Sequence, residues 1–258
     1  MDVVGRRSVS LSDEDRWVFN RLAQDYLARP PYPDALVDRL VALAGGPGAR
    51  VADLGAGMGH LALPLAVRGL SVTAVEPARA MLSALEARRG PGISIVVVHA
   101  SAEATGLSAT SFDLLLLADA VQWVDPELAG REAARLLAGT GTLAVVEATF
   151  ARTPFMDGLA SLLARENPKA RQRPPGAARQ LLAHAAPGVR PTEETFQQDA
   201  PLDDAALPAV LRSLSYAGPA LALGALESLL AAARSLARTS GGARFCRDLT
   251  LRWAARRP

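Results

Sequence analysis

Apolar positions along the 258-residue chain alternate between two rhythms. Short, continuous apolar runs at Val51–Leu54, Ser71–Val75, Ile93–His99, Asp113–Leu117 and Thr142–Thr149 predict buried strands. Helical spacing fills the gaps at Leu61–Val67, Ala78–Arg88 and Leu128–Ala138. Strands alternating with helices imply an α/β fold, with a parallel sheet covered by helices on both faces. Glu193–Asp199 and Ala243–Trp253 read as two further strands, the last antiparallel and near an edge, which makes a mostly parallel seven-stranded sheet.

Outside the sheet the pattern divides the chain further. Residues 1–12 carry no periodic apolar stripe and are expected to form a flexible tail. Ser12 suits an N-cap and Asp15 the acidic first turn of a helix that carries Trp17, Leu22 and Tyr26 and stops at Pro30-Pro31. A second helix runs from Tyr32-Pro33-Asp34 to Leu43, closed by Gly45-Gly46. Residues 151–192 read as a helical lid inserted after the fifth strand, interrupted by Arg173-Pro174-Pro175-Gly176 and Pro187-Gly188. Residues 193–258 complete the core, with Asp203-Asp204 capping one helix and Leu221–Ala237 forming another. The expected division is a tail at 1–12, a core at 13–150, a lid at 151–192 and the end of the core at 193–258.

The stretch from Arg50 to His60 carries the sharpest chemical signal. A buried strand ends in Asp53-Leu54, then Gly55-Ala56-Gly57-Met58-Gly59, then an apolar helix, which is the opening of a Rossmann-like β-α-β unit. A dinucleotide fingerprint would need glycine where this chain has His60, and Asp53 would repel a pyrophosphate. The same carboxylate suits a cation. S-adenosylmethionine, with an ammonium, a sulfonium and no phosphate, is the better match. Glu76 ends the next strand near the offset at which a carboxylate grips ribose hydroxyls.

At these residues the chain resembles the class I S-adenosylmethionine-dependent methyltransferases of the small-molecule type, including ubiquinone-biosynthesis and trans-aconitate methyltransferases. Val51–Gly59 is similar to the family's first motif and Ala74-Val75-Glu76-Pro77 with Met81 to its second. Phe112–Asp125 resembles the fourth strand and the loop after it. The resemblance implies that Asp53, Gly55, Ala56, Gly57 and Gly59 pack on the methionine part of the cofactor and that Glu76, with Pro77 and Met81 beside it, binds the ribose. Ser101, Ala102 and Glu103 would hold the adenine, with Ser101 standing where the family usually has aspartate. Tyr26–Pro33 resembles the segment that crosses over the cofactor, so Tyr26 and Arg29 would reach cofactor or substrate. Composition alone reads the same string equally well as a proline-rich linker with packing tyrosines.

Methyl transfer is an in-line displacement, so alignment and water exclusion dominate, and a base is needed only for a protonated acceptor. The resemblance puts Asp119, Ala120, Gln122 and Trp123 on the donor face. Asp119 would bond the cofactor or take a proton, and Gln122 would orient the acceptor. Trp123 either walls the pocket or packs on the core. His60, His99 and His184 are candidate bases or ordinary hydrogen-bonded histidines; His99 lies on the adenine side, away from the expected chemistry. No His, Asp and Glu set at ligand spacing suggests a metal.

The remaining composition narrows the partners. The lone cysteine, Cys246, excludes an intrachain disulfide, and no run of 18 apolar residues or apolar leader points to a membrane or secretion. A cytoplasmic monomer or homodimer is expected. Lys169 is the only lysine, and the arginines lack the aromatic interleaving of single-strand nucleic-acid binders, so no nucleic acid is expected. The sequence thus predicts a methyltransferase for a small-molecule acceptor, with S-adenosylhomocysteine as product. A cofactor-binding regulatory module of the same fold and an NAD-dependent oxidoreductase are the alternatives.

Overall fold

The structure, a computed structural model, describes residues 13–168 and 176–256. The expected tail at 1–12, the Ser12 cap and the Arg173-Pro174-Pro175 break lie outside the described residues.

Seven strands form one sheet: β1 (Arg50–Leu54), β2 (Ser71–Val75), β3 (Ile95–Val98), β4 (Phe112–Ala118), β5 (Leu137–Phe150), β6 (Thr192–Leu202) and β7 (Ala243–Ala255). Their order is β3-β2-β1-β4-β5-β7-β6. The first five run parallel, while β7 is antiparallel to both β5 and β6 and leaves β6 on the edge. The chain order reverses between β1 and β4, and the crevice opens at their carboxyl ends.

Burial explains the layering. Strands β1, β2 and β4 are buried on nearly every residue, as a sheet covered on both faces requires. On one face, α2 (Asp34–Ala44) and α3 (Ala62–Val67) pack Leu36, Leu40 and Leu65 against Val51, Leu114 and Leu116. On the other, α5 (Pro126–Leu136) and α7 (Ala177–Ala185) pack Ala133, Leu181 and Leu182 against Leu115, Leu117 and Val145. On the first face α4 (Arg79–Arg88) adds Leu85 to the same core and meets α1 (Asp13–Tyr26) through Met81 and Leu22.

The segment expected as one lid separates into two parts. Helix α7 carries an apolar stripe at Ala177, Ala178, Leu181, Leu182 and Ala185, and this stripe draws it onto the sheet. Helix α6 (Pro154–Glu166) instead joins α8 (Ala206–Arg212) and α9 (Leu223–Thr239) in a separate cluster around Phe155, Leu159, Leu211, Leu229 and Phe245. Helix α5 starts and ends two residues before its expected bounds. Asp125 caps it by accepting from the Glu127 and Leu128 amides, and Leu137 already pairs with Phe112 as the first residue of β5.

Candidate functional site

Two adjoining chambers open at the strand ends. The larger, about 690 Å³, is walled by Phe19, Tyr26, Gly55, Gly57, Glu76, Pro77, Met81, Ser101, Ala102, Glu103, Ala118, Asp119, Ala120, Trp123 and Val124. The second, about 470 Å³, is walled by Tyr26, Arg29, Pro30, Tyr32, Asp53, Gly55, Ala56, Gly57, His60, Leu61, Ala118, Asp119 and Arg247. Tyr26, Gly55, Gly57, Ala118 and Asp119 belong to both.

The glycine turn fits closely against the loop after β4. Gly55 has φ +77°, and a Cβ there would lie 2.8 Å from the Ala120 Cβ. Gly57 also has positive φ, but a Cβ there would meet nothing within 4 Å, so the turn presents open space to the chambers. Gly59 is absent from both walls; its missing Cβ lets Leu85 and Leu63 approach instead.

Glu76 is buried and ties this turn to α4. Its Oε2 accepts from the Gly57 amide at 2.9 Å and its Oε1 from the Ala78 amide at 2.8 Å. Burial pushes its carboxyl above the usual range. Asp53, 2% exposed, is pushed up to about 7 by burial and then by the nearby Glu76, although the Ala62 amide favours its charged form. Ser101, Ala102 and Glu103 line the far wall of the larger chamber, where Glu103 also accepts from the Asp125 amide. Trp123 stands edge-on to Phe19, with centroids 5.1 Å apart, and walls the chamber.

Asp119 is held by a network that the sequence did not reveal. Its backbone has φ +51°, an uncommon conformation outside glycine. Its Oδ2 accepts from Arg247 Nη1 at 2.9 Å and from the Tyr32 hydroxyl at 3.2 Å, and its Oδ1 from the Ala148 amide. Arg247 also donates through Nε to Gln198 Oε1 at 2.7 Å, while Gln198 Nε2 donates to the Pro30 and Pro31 carbonyls. This network links β6, β7, the β4 loop and the strap after α1. Arg29 anchors the same strap, donating to Ser213 Oγ at 2.6 Å and the Ser213 carbonyl at 3.2 Å while lying 4.8 Å over the Tyr26 ring.

The other predicted catalytic residues separate. His60 lies in the second chamber, and burial together with Arg88, Arg29 and Arg247 pushes its imidazole down to about 3, which keeps it neutral. Gln122 lies outside both walls; its Nε2 donates to the Asp119 carbonyl and its Oε1 has no partner among the described residues. His184 is outside them too. It is exposed on α7, and its Cβ would lie 2.5 Å from a Cβ added at Gly130 of α5. His99, also outside the chambers, donates through Nε2 to the Pro77 carbonyl at 2.9 Å.

The stretch that builds this crevice is similar to known methyltransferases. Residues 52–145 match the Methyltransferase domain family. That stretch is similar to a methyltransferase domain. An uncharacterized methyltransferase of Mycobacterium tuberculosis is 37% identical over 146 residues, covering 56% of this chain and 58% of that protein. The malonyl-[acyl-carrier protein] O-methyltransferase of Geobacter sulfurreducens is 34% identical over 135 residues, covering 50% of this chain and 51% of that protein. The chain thus spans about half the length of these curated relatives. The crystal structure of the Bacillus subtilis YcgJ protein shares the methyltransferase domain's fold with a TM-score of 0.60 at 17% identity, covering 88% of this chain and all of that one. The family match favours S-adenosylmethionine over a dinucleotide in the domain's glycine-lined site. Among the described residues, no helix is long and apolar enough to cross a membrane.

Proposed function

We propose that the chain transfers a methyl group from S-adenosylmethionine to a small-molecule acceptor. The single observation that carries this reading is the pair of chambers meeting at Gly55, Gly57 and Asp119, one beside Glu76 and the other beside Asp53. In this reading the larger chamber takes the nucleoside. Glu76 keeps a lone pair on each oxygen beyond its two backbone bonds, enough for a ribose hydroxyl pair. Met81, Pro77 and Trp123 supply apolar walls for adenine, and Ser101 and Ala102 supply polar backbone and hydroxyl groups. Asp53 faces the amino-acid end as a counterion for the ammonium, and Tyr26 and Arg29 close the strap above it.

The methyl donor supplies an electrophilic carbon with a good leaving group, so this chain's part is alignment and exclusion of water. Asp119 serves that part as a fixed wall rather than a proton acceptor, because Arg247, Tyr32 and Ala148 already donate to it. Calorimetric titration with S-adenosylhomocysteine and, separately, NAD tests the site. Binding of S-adenosylhomocysteine alone is expected, and binding of NAD alone would overturn the reading. Release of S-adenosylhomocysteine from bound S-adenosylmethionine in the presence of acceptors separates an enzyme from a cofactor-binding regulatory module.

A further inference from the structure

Gln198 is the buried polar position of β6, 4% exposed in an edge strand whose acids, threonines and other glutamine are not buried. Its side chain walls neither chamber. Gln198 and Arg247 also lie beyond residues 52–145, the stretch similar to the methyltransferase family. What Gln198 meets instead is the strap after α1.

Pro30 and Pro31 have no amide proton, so the backbone of this step can be tied down by hydrogen bonds only through its carbonyls. Gln198 Nε2 donates to both, the Pro30 carbonyl at 3.1 Å and the Pro31 carbonyl. The amide's orientation is fixed from behind, because Oε1 accepts from Arg247 Nε at 2.7 Å. Arg247 donates onward to Asp119 Oδ2, and the same oxygen accepts from the hydroxyl of Tyr32, the residue next to Pro31. The bonds thus close a ring: strap, Gln198, Arg247, Asp119 and strap again. Because the members of such a ring support one another, losing the Pro31 end loosens Arg247 and with it the Tyr32 end, so the strap lifts as a unit.

That strap also encloses the site. Tyr26, Arg29, Pro30 and Tyr32 wall the second chamber, and Tyr26 walls the larger one too. We propose that Gln198 is a positioning residue of the methyl-donor site: it latches the strap over the chambers and so sets the rate at which donor and product exchange, without touching either. This rests on the chambers being the S-adenosylmethionine site.

Gln198→Glu tests the latch. Ionised beside Arg247, the new carboxylate still accepts from that arginine but has no proton to give the strap. Stopped-flow tryptophan fluorescence, with Trp123 on the chamber wall as reporter, gives both rate constants for S-adenosylhomocysteine. In Gln198→Glu association and dissociation should each accelerate by about tenfold, the loss of about one net hydrogen bond from the seated strap, while the dissociation constant changes little. Tyr32→Phe cuts the ring at its other end and keeps the wall; it should accelerate both rates too, and it decides the question if Gln198→Glu does not fold. Unchanged rates overturn the proposal. So does faster dissociation with unchanged association, because a residue that merely shapes the site weakens binding without opening a path to it. Hydrogen exchange of the ligand-free protein reads the latch independently: the strap amides of Leu27, Ala28, Arg29 and Tyr32 should exchange about tenfold faster in Gln198→Glu, and unchanged exchange overturns the proposal as well. Wild-type protein that binds no S-adenosylhomocysteine overturns the methyltransferase reading and the part of Gln198 in it, while the exchange data still tell whether the strap is latched.

Discussion

Lowering the pH from about 8 to about 6 should weaken S-adenosylhomocysteine binding by about tenfold, and Asp53→Asn should remove that dependence. The carboxyl of Asp53 is pushed up to about 7 in the ligand-free protein by burial and by Glu76. A ligand ammonium placed against it favours the charged form, so the bound protein holds Asp53 ionised well below neutrality. Binding then requires the deprotonated acid, and the observed dissociation constant scales with the reciprocal of the deprotonated fraction. That factor is about 11 at pH 6 and about 1.1 at pH 8, a ratio of about ten or ~1.4 kcal/mol. His60 does not contribute, since it titrates near 3. Calorimetric titrations of wild type and Asp53→Asn in the same buffers cancel any titration of the ligand itself. A flat wild-type affinity, or a slope that survives in Asp53→Asn, would refute the placement of the ammonium against Asp53. The ligand-free protein gives an independent check. A carboxyl raised above its unfolded value makes the native state hold more protons, so stability falls as pH rises toward about 7. Asp53→Asn should therefore raise Tm more at pH 8 than at about pH 5.

Outcomes are expected for four further substitutions. Glu76→Ala leaves the Gly57 and Ala78 amides without their carboxylate and should weaken S-adenosylhomocysteine binding by about 1–3 kcal/mol; unchanged affinity in calorimetry would remove its ribose role. Arg247→Met strands the Asp119 carboxylate and should cost about 3–5 kcal/mol in chemical denaturation, with part recovered on adding Asp119→Asn; strictly additive losses would deny the coupling. His184→Ala should leave turnover unchanged, while Gly130→Ala should lower Tm because its Cβ would meet His184 Cβ at 2.5 Å and the Leu181 carbonyl at 2.9 Å; a turnover defect in His184→Ala would contradict its place outside the chambers.

The parts of the site that were legible in the sequence lie within single β-α units. Asp53, Gly55, Gly57 and Glu76 sit at strand ends, where local pattern alone aims them into the crevice. Trp123 was ambiguous because an aromatic after a strand serves a core or a pocket equally well, and only its contact with Phe19 and the chamber decides. Arg247 was missed because it stands 128 residues from Asp119 and is brought to it by antiparallel pairing. A signal was nonetheless present. Phe245, Arg247, Leu249 and Leu251 share the inward row of β7, so an arginine there occupies an apolar position and needs a buried partner. Gln198 shows the same anomaly on β6, alone among the buried positions of an edge strand rich in acids and amides. His184 misled for the opposite reason. A loop of unassigned helices reads as a lid, while the apolar stripe of α7 marks a helix that the sheet claims.

Gln198 meets the strap through the carbonyl oxygens of Pro30 and Pro31, atoms that every amino acid carries. Replacing either proline leaves those oxygens in the chain, so the strap can drift in sequence as long as its backbone course is kept. Position 198 has no such freedom, because no backbone atom can do the amide's double duty of donating to the strap and accepting from Arg247. Among natural variants of this chain, tolerance should therefore be high along the roof of the chamber and low at one residue of a strand beneath it.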